Sequence, residues 1–238
     1  MRGPKAMATI SGEPNQNIDP PDPRIRLREL AAEYIDRGDM TGWFDALYKE
    51  AEGRTDHIPW ADLEPNKFFR SWAERQSLRG DSRKAIVVGC GLGDDAHYLY
   101  KLGFDVTAFD ISSTAIAWAR RLYGDKDIQF ETADLFQPLR GWLGAFNFVL
   151  EIYTIQPLPM ELREKAIDAV ASFVAPGGKL VVVTRGRDDD EETPQLSWPL
   201  SRKDLSRFEQ NGLRQIEFND FIDDEDTRRF VVEYERPV

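Results

Sequence analysis

KAIVVGCGLGDD, residues 84–95, passes from a short apolar strand pattern into a loop with glycine at 89, 91 and 93. Glycine at these places permits positive φ and close approach of a ligand to the backbone, and the helix pattern that follows offers amides without partners of their own. Such a loop alone is also compatible with a tight turn that packs helix on strand. Its context says more. Asp110 closes the next strand pattern, DVTAFD, about twenty residues on, where a carboxylate can accept both hydroxyls of a ribose. Loop and acid together predict an adenosine-containing ligand.

The residues after the loop narrow the ligand. The dinucleotide fingerprint G-x-G-x-x-G would need glycine at 94, where the chain has Asp94, followed by Asp95. Two carboxylates at a helix N-terminus suit the helix dipole but repel a pyrophosphate that wants the same place. S-adenosylmethionine is a phosphate-free cation and suits an acidic loop; a nicotinamide dinucleotide does not.

Outward from the loop, strand and helix patterns alternate through AIVVG, DVTAFD, IQFETAD, FNFVLEI and KLVVVTR, with a helix expected over about 161–173. Apolar strands alternating with helices predict a mostly parallel sheet covered on both faces, an α/β, Rossmann-like, doubly wound fold. A helical segment, SRKDLSRFEQ, then leads to IEFNDF and RRFVVEY, joined by a link so short that the two strands must pair antiparallel. The expectation is a seven-stranded sheet that ends in an antiparallel hairpin. Before the loop, Leu27, Leu30, Ala31 and Tyr34, and again Phe44, Leu47, Tyr48 and Ala51, fall at helical spacing, with a third helix around 68–76. The polar, proline-rich residues 1–23 read as a disordered tail. Residues 24–238 read as one domain, in which an N-terminal helical cover over 24–80 precedes a cofactor-binding core over 84–238.

The core motifs resemble the class I S-adenosylmethionine-dependent methyltransferases: VVGCGLG as the first motif, AFDIS as the second-strand acid, TADLF as the third, FNFVLEIYTIQPLP as the fourth and PGGKLVVV as the approach to the fifth strand. The resemblance implies the same terminal hairpin. It also implies that Gly89 and Gly91 flank the methionine portion and that Asp110 holds the ribose. By the same resemblance Asp134 accepts from the adenine amino group and Leu135 offers its backbone amide; Cys90 and Ile111 lie beside these positions on the cofactor side. Many members carry an acid two residues before the first glycine, where this chain has Val87. The segment from Trp43 to Trp60 and the closing RRFVVEYERP resemble the thiopurine methyltransferase-related branch, whose members methylate small sulfur, halide or oxygen acceptors. That branch's thiopurine enzyme has an arginine after the fourth strand where this chain has Ile152.

No catalytic constellation stands out, and methyl transfer needs none, because aligning nucleophile, methyl and sulfur in a dry site supplies much of the acceleration. The catalytic residue is left unknown. Glu151, at the end of the fourth strand, is a candidate partner for the cofactor ammonium or a base, with a helix-cap or surface carboxylate as the alternative. Tyr153, Arg185 and Trp198 are substrate candidates by position; Tyr153 has an alternative as a buried structural phenol. Trp43 and Trp60 are candidates to stack over the cofactor or close a lid, and a core role is the alternative for each. Asp134 has an alternative as a turn cap, and Cys90 as a small packing residue. The segment 186–198 is an expected cover over the substrate.

Composition sets the outer limits. The chain has 31 Lys and Arg against 42 Asp and Glu, a net charge of −11, which works against non-specific nucleic-acid binding. With 41% hydrophobic residues it can build a substantial core. No apolar run approaches the roughly 18 residues of a membrane span, and the first residues show no apolar signal segment, so a cytoplasmic location without membrane partners is expected. His57 and His97 fall in different elements and Cys90 is the only cysteine, so no metal is expected. The acidic runs DDDEE and DDED are expected to be solvated loops. A small-molecule methyl acceptor is the expected partner, with a non-catalytic S-adenosylmethionine-binding regulator as the alternative; oligomeric state is left open.

Overall fold

Strands that are apolar on both faces need cover on both, and the helices of this chain supply it. The computed structural model describes residues 22–192, 196 and 198–238. Its elements in chain order are α1 (Pro23–Ile35), α2 (Gly42–Ala51), α3 (Lys67–Arg75), β1 (Lys84–Val88), α4 (Asp94–Lys101), β2 (Asp105–Asp110), α5 (Ser113–Tyr123) and β3 (Ile128–Thr132). There follow β4 (Phe146–Ile152), α6 (Met160–Ser172), β5 (Val174–Arg185), α7 (Arg202–Leu205), α8 (Arg207–Gln210), β6 (Arg214–Ile222) and β7 (Arg228–Glu235). The sheet order is β3-β2-β1-β4-β5-β7-β6. The first five strands in that order pair in parallel, and β7 pairs antiparallel with both β5 and β6. The expected terminal hairpin is therefore present. The order reverses between β1 and β4, and the crevice at such a switch point is where open α/β sheets take ligands.

Alternation along β1 shows how the sheet sorts its side chains. Ile86 and Val88 join the cluster that holds Ile167 and Val170 of α6 and Phe208 of α8. Ala85 and Val87 join the opposite cluster with Trp72 of α3, Leu99 of α4 and Ile116 of α5. A third cluster packs Leu30 of α1 and Trp43, Leu47 and Tyr48 of α2 against Trp118 of α5. Each fully buried side chain of this size contributes roughly 1.5–3 kcal/mol.

Three expectations change in detail. Residues 1–21 of the expected tail lie outside the described residues, and Pro23 is already the first residue of α1, preset for it by its fixed φ, with the Asp22 carboxylate accepting the Arg24 amide at 2.9 Å. The single helix read over 201–210 is two short ones with a turn at Ser206, whose hydroxyl donates back to the Lys203 carbonyl at 2.7 Å. β5 begins at Val174, earlier than the KLVVVTR run, because the register against β4 shifts between Phe146 and Phe148.

Candidate functional site

A cavity of about 520 Å³ opens at the carboxyl ends of β1, β2, β4 and β5, roofed by α1 and α2. That volume falls in the range of small-molecule and cofactor sites. The loop after β1 forms its floor. Gly89, Gly91 and Gly93 have φ of +60°, +53° and +91°, the left-handed region where glycine carries no steric cost. Asp110, at the end of β2, pins this loop: its Oδ2 accepts the Gly91 amide at 3.0 Å and its Oδ1 the Ser112 amide at 2.8 Å. Burial pushes the Asp110 carboxyl upward, and these two amides act against that rise. Ile111 and Cys90 share the same wall. Burial also pushes the Cys90 thiol well up, which makes it a packing residue and a poor nucleophile.

Asp134 and the buried Leu135 line the cavity beyond β3. The Asp134 carboxylate also accepts the Phe136 amide at 2.8 Å and the Gln137 side-chain amide at 3.0 Å, so the turn-capping reading of Asp134 describes a real contact. Burial pushes the carboxyls of both paired aspartates upward, and hydrogen bonds act against it. Asp94 accepts the Tyr123 hydroxyl at 2.6 Å, and Asp95 accepts the Asn66 amide at 2.8 Å while burial pushes its carboxyl up to about 7.

Glu151 departs from its expected place. It is fully buried and absent from the cavity wall, and its Oε1 accepts the amides of Thr154 at 2.7 Å and Ile155 at 2.9 Å. Burial pushes this carboxyl up to about 7 against those two hydrogen bonds. It holds a turn and caps no helix, since α6 begins only at Met160. Trp198 also stays off the wall; its amide is held by the Gln156 carbonyl at 3.0 Å, and Leu196 faces the cavity instead. Residues 193–195 and 197 of the expected cover lie outside the described residues.

Both N-terminal tryptophans reach the wall. Trp43 is wholly buried and stacked on Phe44 with ring centroids 3.7 Å apart, so it is core and lining at once. Trp60 is 38% exposed and donates its indole N–H to the Tyr48 hydroxyl at 2.8 Å. Tyr48 was legible only as part of a helical stripe, yet its hydroxyl stands where a Cβ on Gly91 would meet it at 2.9 Å.

Four arginines also line the cavity. Tyr153 leaves β4 with φ +55°, a costly conformation for a large side chain. Its hydroxyl accepts from Arg229 at 3.2 Å. Arg185 of β5 and Arg229 of β7 are directly opposed in the antiparallel ladder, and both line the cavity, as do Arg24 and Arg28 of α1. Sequence reasoning missed Arg24, Arg28 and Arg229. The available signals were two like charges one turn apart on α1 and the hairpin register. The DDED run is not simply solvated either. Asp223 has only 1% of its side chain exposed, and its carboxylate, 2.7 Å from the Arg229 guanidinium, stands lowered to about 2 because that ion pair and two backbone amides outweigh the opposing effect of burial. Among the described residues no helix is long and apolar enough to cross a membrane.

Comparison with known proteins agrees with this geometry. Residues 85–178 match the family model described as a methyltransferase domain. A 2-heptyl-1-hydroxyquinolin-4(1H)-one methyltransferase of Mycobacteroides abscessus is 27% identical over 158 residues, 63% of this chain and 67% of the relative. A ubiquinone biosynthesis O-methyltransferase of Caulobacter vibrioides is 30% identical over 181 residues, 74% of this chain and 67% of the relative. In fold, the chain is similar to the N-methyltransferase NodS of Bradyrhizobium japonicum, solved with S-adenosyl-L-homocysteine, with a TM-score of 0.63 at 19% identity over 82% of this chain and all of that one. Sheet order, glycine loop and sequence relatives together lead to one assignment: the chain belongs to the class I S-adenosylmethionine-dependent methyltransferases.

Proposed function

We propose that this enzyme methylates a small organic acceptor through oxygen, with the cofactor held along the acidic floor of the cavity and the acceptor on its arginine-lined side. The observation that carries the reading is the joining of both regions in one cavity at the switch point of the sheet. S-adenosylmethionine, when bound, supplies an activated methyl group on a sulfonium. The chain's own residues fit such a group. The left-handed glycines let a ligand lie on backbone, and Asp110 keeps lone pairs on both carboxylate oxygens for a ribose after accepting two amides. In this reading Gly89, Cys90 and Gly91 bound the methionine portion, Ile111, Asp134 and Leu135 bound the adenine, and Trp43 and Trp60 close the roof. Glu151 serves indirectly, by fixing the turn that carries Tyr153 and Thr154.

Oxygen is favoured among sulfur, oxygen and halide acceptors because the relatives named above include an O-methyltransferase and a hydroxyquinolinone methyltransferase. Kinship with the thiopurine methyltransferase-related branch rests on the segment from Trp43 to Trp60 and the closing RRFVVEYERP. The chain's residues orient the acceptor and exclude water, and Tyr153 is the group nearest to serving as an orienting hydroxyl.

The test is calorimetric titration with S-adenosylhomocysteine, followed by a release assay for that product across phenols, carboxylic acids, thiols and halides. Binding in the micromolar range, weakened at least tenfold in Asp110→Asn, is the expected result. Absence of binding at millimolar ligand would refute the cofactor assignment, and binding without turnover of any acceptor would favour a non-catalytic regulator.

A further inference from the structure

A protein of net charge −11 has few reasons to gather arginines in one place, yet four line this cavity. Arg24 and Arg28 sit one helical turn apart on α1 with Leu27 between them, all three on the wall. Like charges at that spacing destabilise an isolated helix. Among the described residues neither arginine makes an ion pair. From the sheet, Arg185 and Arg229 face each other across β5 and β7, a cross-strand pairing that is also unfavourable. The two groups sense one another, because Arg185 experiences the charge of both Arg229 and Arg24.

Two of the negative groups nearby are already paired with cations. Asp223 holds Arg229 at 2.7 Å, and Asp224 holds Lys67 at 2.5 Å. Glu225 lies 3.8 Å from Arg229, with 63% of its side chain exposed, and it also acts on Arg185. Tyr153, neutral and raised by burial, adds a hydroxyl but no charge. Phe44, Phe68 and Leu196 give this wall an apolar face, beside the polar Asn66, Lys67 and Gln156. Guanidinium groups with fixed forks beside an apolar face are suited to a carboxylate or similar oxyanion on an aromatic body.

Building on the proposed division of the cavity, we infer that the acceptor is a small aromatic acid whose anionic oxygen group is bound by Arg185 together with Arg24 and Arg28. The cavity is thereby polarised twice over: carboxylates face the cationic cofactor, and arginines face an anionic acceptor. Arg229, neutralised by Asp223, aligns the Tyr153 hydroxyl and acts as a positioning residue.

The experiment compares shape-matched pairs, the hydroxybenzoates and hydroxynaphthoates against their amides, by calorimetry with and without saturating S-adenosylhomocysteine. At least one acid should bind about tenfold or more tighter than its amide, the scale of one charge-assisted contact. Arg185→Met should remove that preference while S-adenosylhomocysteine affinity stays unchanged. The double variant Arg24→Gln, Arg28→Gln, made on the exposed face of α1, should reduce it and does not depend on the tolerance of β5 to substitution. Equal binding of acids and amides throughout, or a preference that survives both variants, overturns the inference. Acid preference without any S-adenosylhomocysteine binding would leave the inference standing and defeat the cofactor reading instead.

Discussion

The Asp45 carboxylate of α2 accepts the hydroxyl of Ser112 at 2.7 Å, joining the helical cover to the N-cap of α5 across 67 residues of chain. The same Oδ1 takes the Thr114 amide at 3.0 Å, and Lys49 lies 2.7 Å from the other oxygen. Ser112 in turn caps α5 through the Ala115 amide at 3.0 Å. One carboxylate thus fixes the roof carrying Trp43 and Tyr48 over the end of β2, where Asp110 lies.

Replacing Asp45 by Asn should therefore cost about 1–3 kcal/mol at pH 7, since hydrogen bonds to a partly buried charge are lost. Burial raises the Asp45 carboxyl, but Lys49, Ser112 and Thr114 together outweigh it, and the group lies well below its ordinary value of 3.8. A carboxyl depressed by folding stabilises the native state above pH 3.8, and that contribution is lost as pH falls further. The gap in melting temperature between wild type and Asp45→Asn should narrow as pH falls from about 4 towards 2. A constant gap across that range would show that Asp45 acts through packing alone.

Glu151 predicts the opposite pH dependence. Its folded carboxyl stands at about 7 against 4.5 when exposed, so the native state retains a proton that the unfolded chain releases. Stability then falls as pH rises from 4.5 to about 7 and levels off above it, a total on the order of 3 kcal/mol. Asp95, also near 7, adds to the same slope. Glu151→Gln keeps an acceptor for the Thr154 and Ile155 amides and removes the proton, so its loss of stability between pH 5 and pH 8 should be roughly half that of wild type. Parallel denaturation profiles over that range would contradict a titrating Glu151.

How legible these features were follows from how local they are. Gly89, Gly91 and Asp110 could be read because loop, helix and acid lie within about twenty residues and their spacing is dictated by backbone geometry. The hairpin was legible for the same reason, since a short link permits only antiparallel pairing. Glu151 was read as a cavity residue because a strand's carboxyl end normally faces the crevice. The turn at Tyr153, with its positive φ, directs the Glu151 carboxylate back onto amides, and no periodicity reports that. Asp45 was out of reach, and the like charges of Arg24 and Arg28 acquire meaning only from where α1 and α2 dock, a matter of contacts between distant segments.

Gly89 should tolerate a methyl group poorly. An added Cβ would lie 2.5 Å from the Thr154 hydroxyl oxygen and 2.6 Å from its methyl, at a φ of +60°. Thr154 cannot easily yield, since its hydroxyl donates to the Val88 carbonyl at 2.9 Å. Gly89→Ala should cost about 2–4 kcal/mol, of which roughly 1–2 is left-handed strain and the rest overpacking. In a Thr154→Ala background the overpacking part should disappear while the strain persists. A double-mutant cycle by urea denaturation measures this coupling, and additive effects would mean that the two side chains do not collide.

The last prediction concerns Asp204, whose Oδ2 lies 2.9 Å from both Arg163 and Arg187. The two arginine side chains are only 3% and 8% exposed, so each needs this one carboxylate to balance a buried charge. Arg163 also donates to the Trp198 carbonyl at 2.9 Å, and Arg187 to that of Pro199 at 3.1 Å, which holds the strip of chain that brings Leu196 onto the cavity wall. Asp204→Asn removes the charge from between two cations and should destabilise the fold by about 3–5 kcal/mol in urea denaturation. Because the cluster supports the acceptor side and touches none of the glycine loop, the folded fraction should keep its affinity for S-adenosylhomocysteine and lose affinity for whichever aromatic acid binds best. Equal weakening of both ligands would mean that Asp204 supports the whole cavity rather than its arginine-lined side.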